Sequence, residues 1–290
     1  MALPTAPTAL SIVQEACSKA NHANAVGRAR DQWMEEIKAD IWRNERKFRP
    51  LMTVGIQTVT AGKSTYTMPP DYAQMIQTQL LTGTATGTGS AFSSNSITFP
   101  AGTVYDSSIV GREIFITTGT GNAQDAYASI LSLSGQVATL TDWQFEPTAG
   151  DTYMIAETSY MLDEKSYYTY DEGVPYTLGR PREIYPVGDP DFGELVLHPV
   201  PDGNYPYVLK MKYFANLLRL DLTSTMLSTL YQRWRNVWVA GIYAKALQDK
   251  GDRGYGRAFA EYRGQIQELI NHEKYGDNIN HLGGQVIDYE

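Results

Sequence analysis

From about residue 82 to residue 157 the chain carries almost no lysine or arginine, and glycine, threonine and serine dominate. Short runs inside it alternate apolar and polar side chains, at 96–99, 113–117, 128–133, 136–140 and 152–156. In one of them Ile114 and Ile116 fall on one face and Phe115 on the other, which is the period of two that a half-buried strand requires. Glycine-containing turns separate the runs, at 118–122, 134–135 and 147–151. Short strands at regular spacing with such turns predict a small all-β sandwich or barrel.

The flanks have a different texture. Ser11 and Gln14 fit a capping box, with Ile12, Val13, Ala16, Cys17 and Ala20 sharing the face behind it. After a break at 21–24, Val26, Ala29, Trp33, Ile37 and Ile41 recur at helical steps up to Pro50. The other face of that helix carries Arg28, Asp31, Glu35, Lys38, Arg46 and Lys47, a mixture of signs that reads as solvated. Beyond the β-rich segment, strands are expected at 182–186, 194–198 and 207–213, with a Pro/Asp/Gly loop at 199–204. A helix then starts near Ser224 or Thr225, carries Leu227, Leu230, Trp234, Val237, Trp238 and Ile242, and stops at Gly251. A second runs from about Gly256 to His272 on Phe259, Tyr262, Ile266 and Ile270. The fold class expected is α+β. Residues 1–81 and 158–275 form one helical core with a β-hairpin and strands, 82–157 form an inserted β-domain, and 276–290 form an extended tail. Insertion at a loop is tolerable because closure entropy grows slowly with loop length.

Gly62-Lys63-Ser64-Thr65 resembles the end of a phosphate-binding loop, but the first glycine such a loop needs is replaced by Gln57. The residues that follow are β-prone and reach Pro69-Pro70, so no helix N-terminus can face a phosphate. A hairpin is expected instead, with strands at 56–60 and 64–68. Gly87-Thr88-Gly89 and Gly119-Thr120-Gly121 likewise read as turns rather than a dinucleotide fingerprint.

Neither do the titratable residues assemble a catalytic pattern. His22, His198, His272 and His281 lack metal-ligand spacing. The acid pairs Glu35-Glu36, Asp163-Glu164 and Asp171-Glu172 are adjacent, and adjacent carboxylates point apart. Trp234, Trp238 and Tyr243 read as helix core before ligand cleft. No catalytic, cofactor-binding or metal residue is expected, and no enzyme activity. The net charge of -8 disfavours a reader of nucleic-acid sequence. A single cysteine, Cys17, excludes a disulfide framework. No apolar run reaches the roughly 18 residues of a membrane span, and the first residues lack the pattern of a signal peptide.

The order of these parts resembles the head-to-tail connector, or portal-docking adaptor, proteins of tailed bacteriophages. The likeness lies in the N-terminal helix pair ending Ile41-Trp42-Arg43 and in the stretch from Thr58 through Tyr66 and Pro69 to Asp71-Tyr72. It continues in the strand and loop from Leu195 through Pro199, Pro201 and Asp202 to Gly203, and in the C-terminal helix pair with its loose tail. The inserted segment is similar to small β-domains of phage structural proteins. The resemblance implies a virion protein at the head–tail junction, assembled in the host cytoplasm. It implies a homo-oligomeric ring of about twelve copies, a dodecamer, docked to the portal on one side and to a nozzle or tail tube on the other. DNA would pass its lumen during genome ejection without sequence recognition, and no membrane is involved. Within the tail, Leu282, Val286, Ile287 and Tyr289 are the expected partner contacts, either clamping the portal or a neighbouring subunit or lying as a strap on the protein's own surface. Two other functions remain open: a carbohydrate- or surface-binding phage protein, which exposed aromatics on the β-domain loops would favour, and a cell-wall hydrolase.

Overall fold

A computed structural model of the chain describes residues 8–45, 47–118, 126–143, 146–165, 176–187, 193–204, 206–219, 230 and 234–273. The fold is mixed α+β. It divides into a helical unit, Met1–Met52 with Phe214–Glu290, and a β-rich unit, Thr53–Tyr213. Composition alone places the divisions at 82 and 157; the compact units are cut about thirty residues further out on the N-terminal side and more than fifty on the C-terminal side.

Helix α1 spans Ala9–Lys19 and is capped by Thr8, not Ser11: the Thr8 hydroxyl accepts from the Ser11 N–H at 3.3 Å. Ala9 and Leu10 are strong helix formers, so the helix runs back to the first residue able to cap it. It ends on Asn21, whose φ of 52° is left-handed, with Asn21 N–H donating to Ser18 O and His22 N–H to Cys17 O. These are the two bonds of a Schellman motif, with asparagine where glycine is commoner.

A 3-10 turn (Ala23–Ala25), an α turn (Val26–Arg28) and a π turn (Ala29–Trp33) lead into helix α2, Met34–Asn44. Ala29, Trp33, Ile37 and Ile41 are buried as their spacing requires. Lys38 is not on the solvated face: it is 2% exposed. Met34, Ile37, Ile41 and Trp42 are buried beside it, so its aliphatic stem continues the apolar stripe while its Nζ reaches Glu35 at 2.8 Å. Arg46 lies outside the described residues. The helix stops at Asn44, where Glu45 turns extended, and Pro50 instead opens a separate 3-10 turn, Arg49–Leu51.

Helices α3 (Arg235–Asp249) and α4 (Tyr255–Glu273) complete the helical unit; the residues expected to begin α3, Ser224, Thr225 and Leu227, lie outside the description. Gly251 ends α3 as expected, with φ 65° and the Schellman bonds Gly251 N–H to Gln248 O and Asp252 N–H to Leu247 O. The chain ends meet closely at Gly241. A Cβ there would lie 2.7 Å from Ile37 Cδ1 and 2.9 Å from the Tyr262 ring, so only glycine lets α3 approach both neighbours at this depth.

The β-rich unit contains a seven-stranded sheet built wholly from 85–155, ordered β4-β10-β7-β8-β9-β6-β5. Its strands are β4 (Ala85–Thr88), β5 (Ala91–Ser93), β6 (Ser96–Thr98), β7 (Glu113–Thr118), β8 (Tyr127–Ser134), β9 (Val137–Leu140) and β10 (Thr152–Ile155). Ile114 and Ile116 enter a cluster with Ile97, Phe99, Ile130 and Tyr153, while Phe115 and Met154 on the opposite face pack with Leu81 and Val208. Gly87 lies in a strand and not in a turn; Gly87 and Gly89 leave room for the Tyr153 hydroxyl and the Phe92 ring, which would meet a Cβ at 2.7 Å and 2.2 Å. Gly119 and Gly121 are outside the described residues.

The stretch expected as a hairpin is different in kind. Strand β1 (Met52–Val59) belongs to a sheet ordered β1-β17-β3-β11, with β3 at Tyr72–Thr82, β11 at Thr158–Met161 and β17 at Tyr207–Ala215. Strand β2 (Thr65–Thr67) instead pairs with β15 (Glu194–His198), which pairs with β14 (Glu183–Val187) and through it β12 (Asp163–Glu164), while the short β13 (Leu178–Gly179) and β16 (Val200–Pro201) pair with each other. The turn exists, with Lys63 N–H donating to Thr60 O, but its strands part into two sheets. Tyr66 holds the corner: its hydroxyl donates to Lys63 O at 2.8 Å and accepts from Thr60 N–H at 3.0 Å. Beyond it, Tyr213 packs its ring against Tyr72 and donates to Asp71 Oδ1 at 2.7 Å.

Candidate interaction surfaces

The described histidines are dispersed. His22 Nε2 lies 3.0 Å from Asp249, His198 is on β15, His272 is on α4, and His281 is outside the described residues. Glu35 and Glu36 do point apart, to Lys38 and to Lys245 Nζ at 2.5 Å. Asp163 and Glu164 form a short strand pairing with β14, where burial raises the Glu164 carboxyl above its ordinary range. Asp171 and Glu172 are outside the description. Among the described residues no group of three or more histidine, cysteine or carboxylate side chains is placed to hold a metal ion. Lys63 lies 5.0 Å from the Tyr66 ring and is followed by a strand, so no helix N-terminus stands where a phosphate would need one. Trp234 and Trp238 are core, 1% and 0% exposed, with Phe48 meeting Trp234 edge-on at 5.1 Å.

Polar bonds join the two ends of the chain within the helical unit. Arg235 pairs with Glu15, Asp249 takes both Arg28 (2.5 Å) and His22, and Lys250 Nζ donates to Ala20 O at 3.0 Å. Lys19, hydrogen-bonded to Glu15 and assisted by Arg235, holds the Glu15 carboxyl below its usual range; His22, followed by Arg28, does the same for Asp249. Beside this seam, Lys19, Arg235, Asn236, Tyr243, Glu261 and Gln265 line a groove of about 490 Å3.

Charge is unevenly divided between the units. The helical unit has 17 basic and 15 acidic residues, a net +2; the β-rich unit has 7 and 17, a net -10, and together they give the -8 of the chain. The residue types are visible in the sequence, but the segregation emerges only with the boundaries at 52 and 213.

Among the described residues, the aromatic side chains of this seven-stranded segment pack on one another, Phe92 on Trp143, Phe99 on Tyr105 and Tyr153, Phe115 on Tyr127, and Tyr105 and Tyr127 stay half-exposed. Among its described residues the large exposed hydrophobic side chains are aliphatic, Val104, Val110, Leu131 and Val137. Leu282, Val286, Ile287 and Tyr289 lie outside the described residues. No described helix is long and apolar enough to cross a membrane. Comparison of the chain with protein-family models and with curated proteins finds no match.

Proposed function

We propose that the chain is a structural virion protein, a ring-forming head-to-tail connector that docks beneath a portal and forms part of the DNA passage. One observation carries this reading: helices from both chain ends close into one unit, and the segment between them forms a second, strongly acidic unit. That is the order of parts in the connectors the sequence resembles. An acidic surface along a conduit repels phosphate and lets duplex DNA slide without adhering. The helical unit, near neutral, serves as the docking body, and Leu282, Val286, Ile287 and Tyr289 of the tail make the partner contact.

Negative-stain microscopy of the purified protein, with and without a portal ring from the same virion, tests the reading. The expected images show an added ring on one face of the portal, lost when the chain is cut after Asp277. Particles that never associate with the portal contradict it.

A further inference from the structure

Arg112 is the only basic residue between 82 and 157, and it is half-buried in a groove of about 360 Å3 on the β-rich unit. Its guanidinium has no hydrogen bond or ion pair among the described residues, although it carries five N–H donors. Its charge acts on Asp106, whose carboxyl is held below its ordinary range first by hydrogen bonds from Ser108 and then by Arg112, and its N–H groups stay open to the groove. Around it stand Tyr105, Asp106, Ser108 and Glu157, with Val104 on the rim at 89% exposure.

These groups are fixed before any ligand arrives. The Tyr105 ring meets Phe99 edge-on at 4.7 Å and its hydroxyl shares a hydrogen bond with Tyr153 at 3.0 Å. Asp106 Oδ1 accepts from Ser108 N–H at 2.8 Å, and Glu157 Oε1 accepts from the Thr84 hydroxyl at 2.8 Å. A carboxylate has about four acceptor positions, so both keep capacity to spare. Fixing side chains in advance lowers the entropy lost on binding.

The mixture of groups selects the ligand. An anion meets two carboxylates and a cation meets the guanidinium, so neither fits well. A neutral polyhydroxyl ligand satisfies both: its hydroxyls donate to Asp106 and Glu157 and accept from Arg112, while its C–H face lies on the Tyr105 ring. The volume is at the low end of small-molecule sites, which begin near roughly 300 Å3. We propose that this groove is a saccharide-binding site, with Arg112 and Glu157 as its main polar contacts and Tyr105 as its platform. The site is independent of the connector reading, since it requires neither a ring nor a portal.

Saturation-transfer NMR on the full-length protein tests it, using trisaccharides of glucose, galactose and N-acetylglucosamine, with inorganic phosphate as a separate probe. At least one trisaccharide is expected to bind with a Kd of about 1 mM. Arg112→Ala and, separately, the near-isosteric Glu157→Gln should each weaken it about tenfold, with circular dichroism melts confirming that both variants fold. Tyr105→Phe, which keeps the ring, should retain most of the affinity. No transfer from any trisaccharide at about 10 mM overturns the proposal. So does binding that both variants leave unchanged, or a groove that takes phosphate and no sugar.

Discussion

Glycine shows how far a single residue is legible. Gly251 sits where a helix C-terminus was expected, because its left-handed φ and the change of pattern beyond it coincide. Gly241 gives no such signal: it lies inside a helix, and only the structure shows Ile37 and Tyr262 pressed against it. Gly264, also mid-helix, has nothing within 4 Å of a built Cβ. The same substitution should therefore have opposite signs. Gly264→Ala gains about 0.5–1 kcal/mol from helix propensity. Gly241→Ala makes the same gain but must displace two side chains, an overpacking cost of about 1–3 kcal/mol, for a net loss near 1 kcal/mol. Urea unfolding of both variants reads the difference directly. The cap expected at Ser11 and the solvated position expected for Lys38 fail for related reasons. Capping depends on where the helix nucleates, and a lysine stem is apolar enough to lie in a core stripe that its charge seems to exclude.

At the level of elements, strands with a strong apolar content were readable, and short or glutamine-rich ones were missed. The edges of β7, β8 and β9 agree with the pattern to within a residue or so. Strand β3 was not foreseen, because its burial does not alternate and three glutamines interrupt it, Gln74, Gln77 and Gln79. The corner at 60–64 shows the same limit. A turn with two β-prone flanks is local, but which strand each flank pairs with is decided by partners over a hundred residues away. The helical seam carries a pH dependence that can be given a sign. Glu15 and Asp249 ionise at lower pH in the folded chain than in the unfolded one. Their stabilisation is therefore present above the ordinary carboxylate range, near about 4, and is lost as pH falls through it. Both are solvent-accessible, so the effect is modest. The melting temperature of the helical signal should fall by roughly a few degrees between about pH 5 and 3. Glu15→Gln combined with Asp249→Asn should flatten that slope, and an unchanged slope would assign the acid sensitivity to other groups.

For the whole molecule, the sequence conveyed that both chain ends are helical and that the middle is β-rich. It did not convey the boundaries. Composition changes at 82 and 157, but Phe115 and Met154 pack with Leu81 and Val208, so the β-rich unit takes in strands from both sides of the compositional break. A shared apolar cluster is set by three-dimensional neighbours and leaves no mark in residue frequencies. The acidic excess then belongs to one unit, at -10 against +2, and this division gives the connector proposal its physical content. The ring of the connector proposal requires a heterologous contact between neighbouring copies, which closes when the rotation permits. Native mass spectrometry of the protein mixed with portal rings measures this most directly. If the chain is a connector, one dominant complex carrying about twelve copies per portal ring is expected. A spectrum holding only free portal and monomeric chain, at every ionic strength, would contradict it.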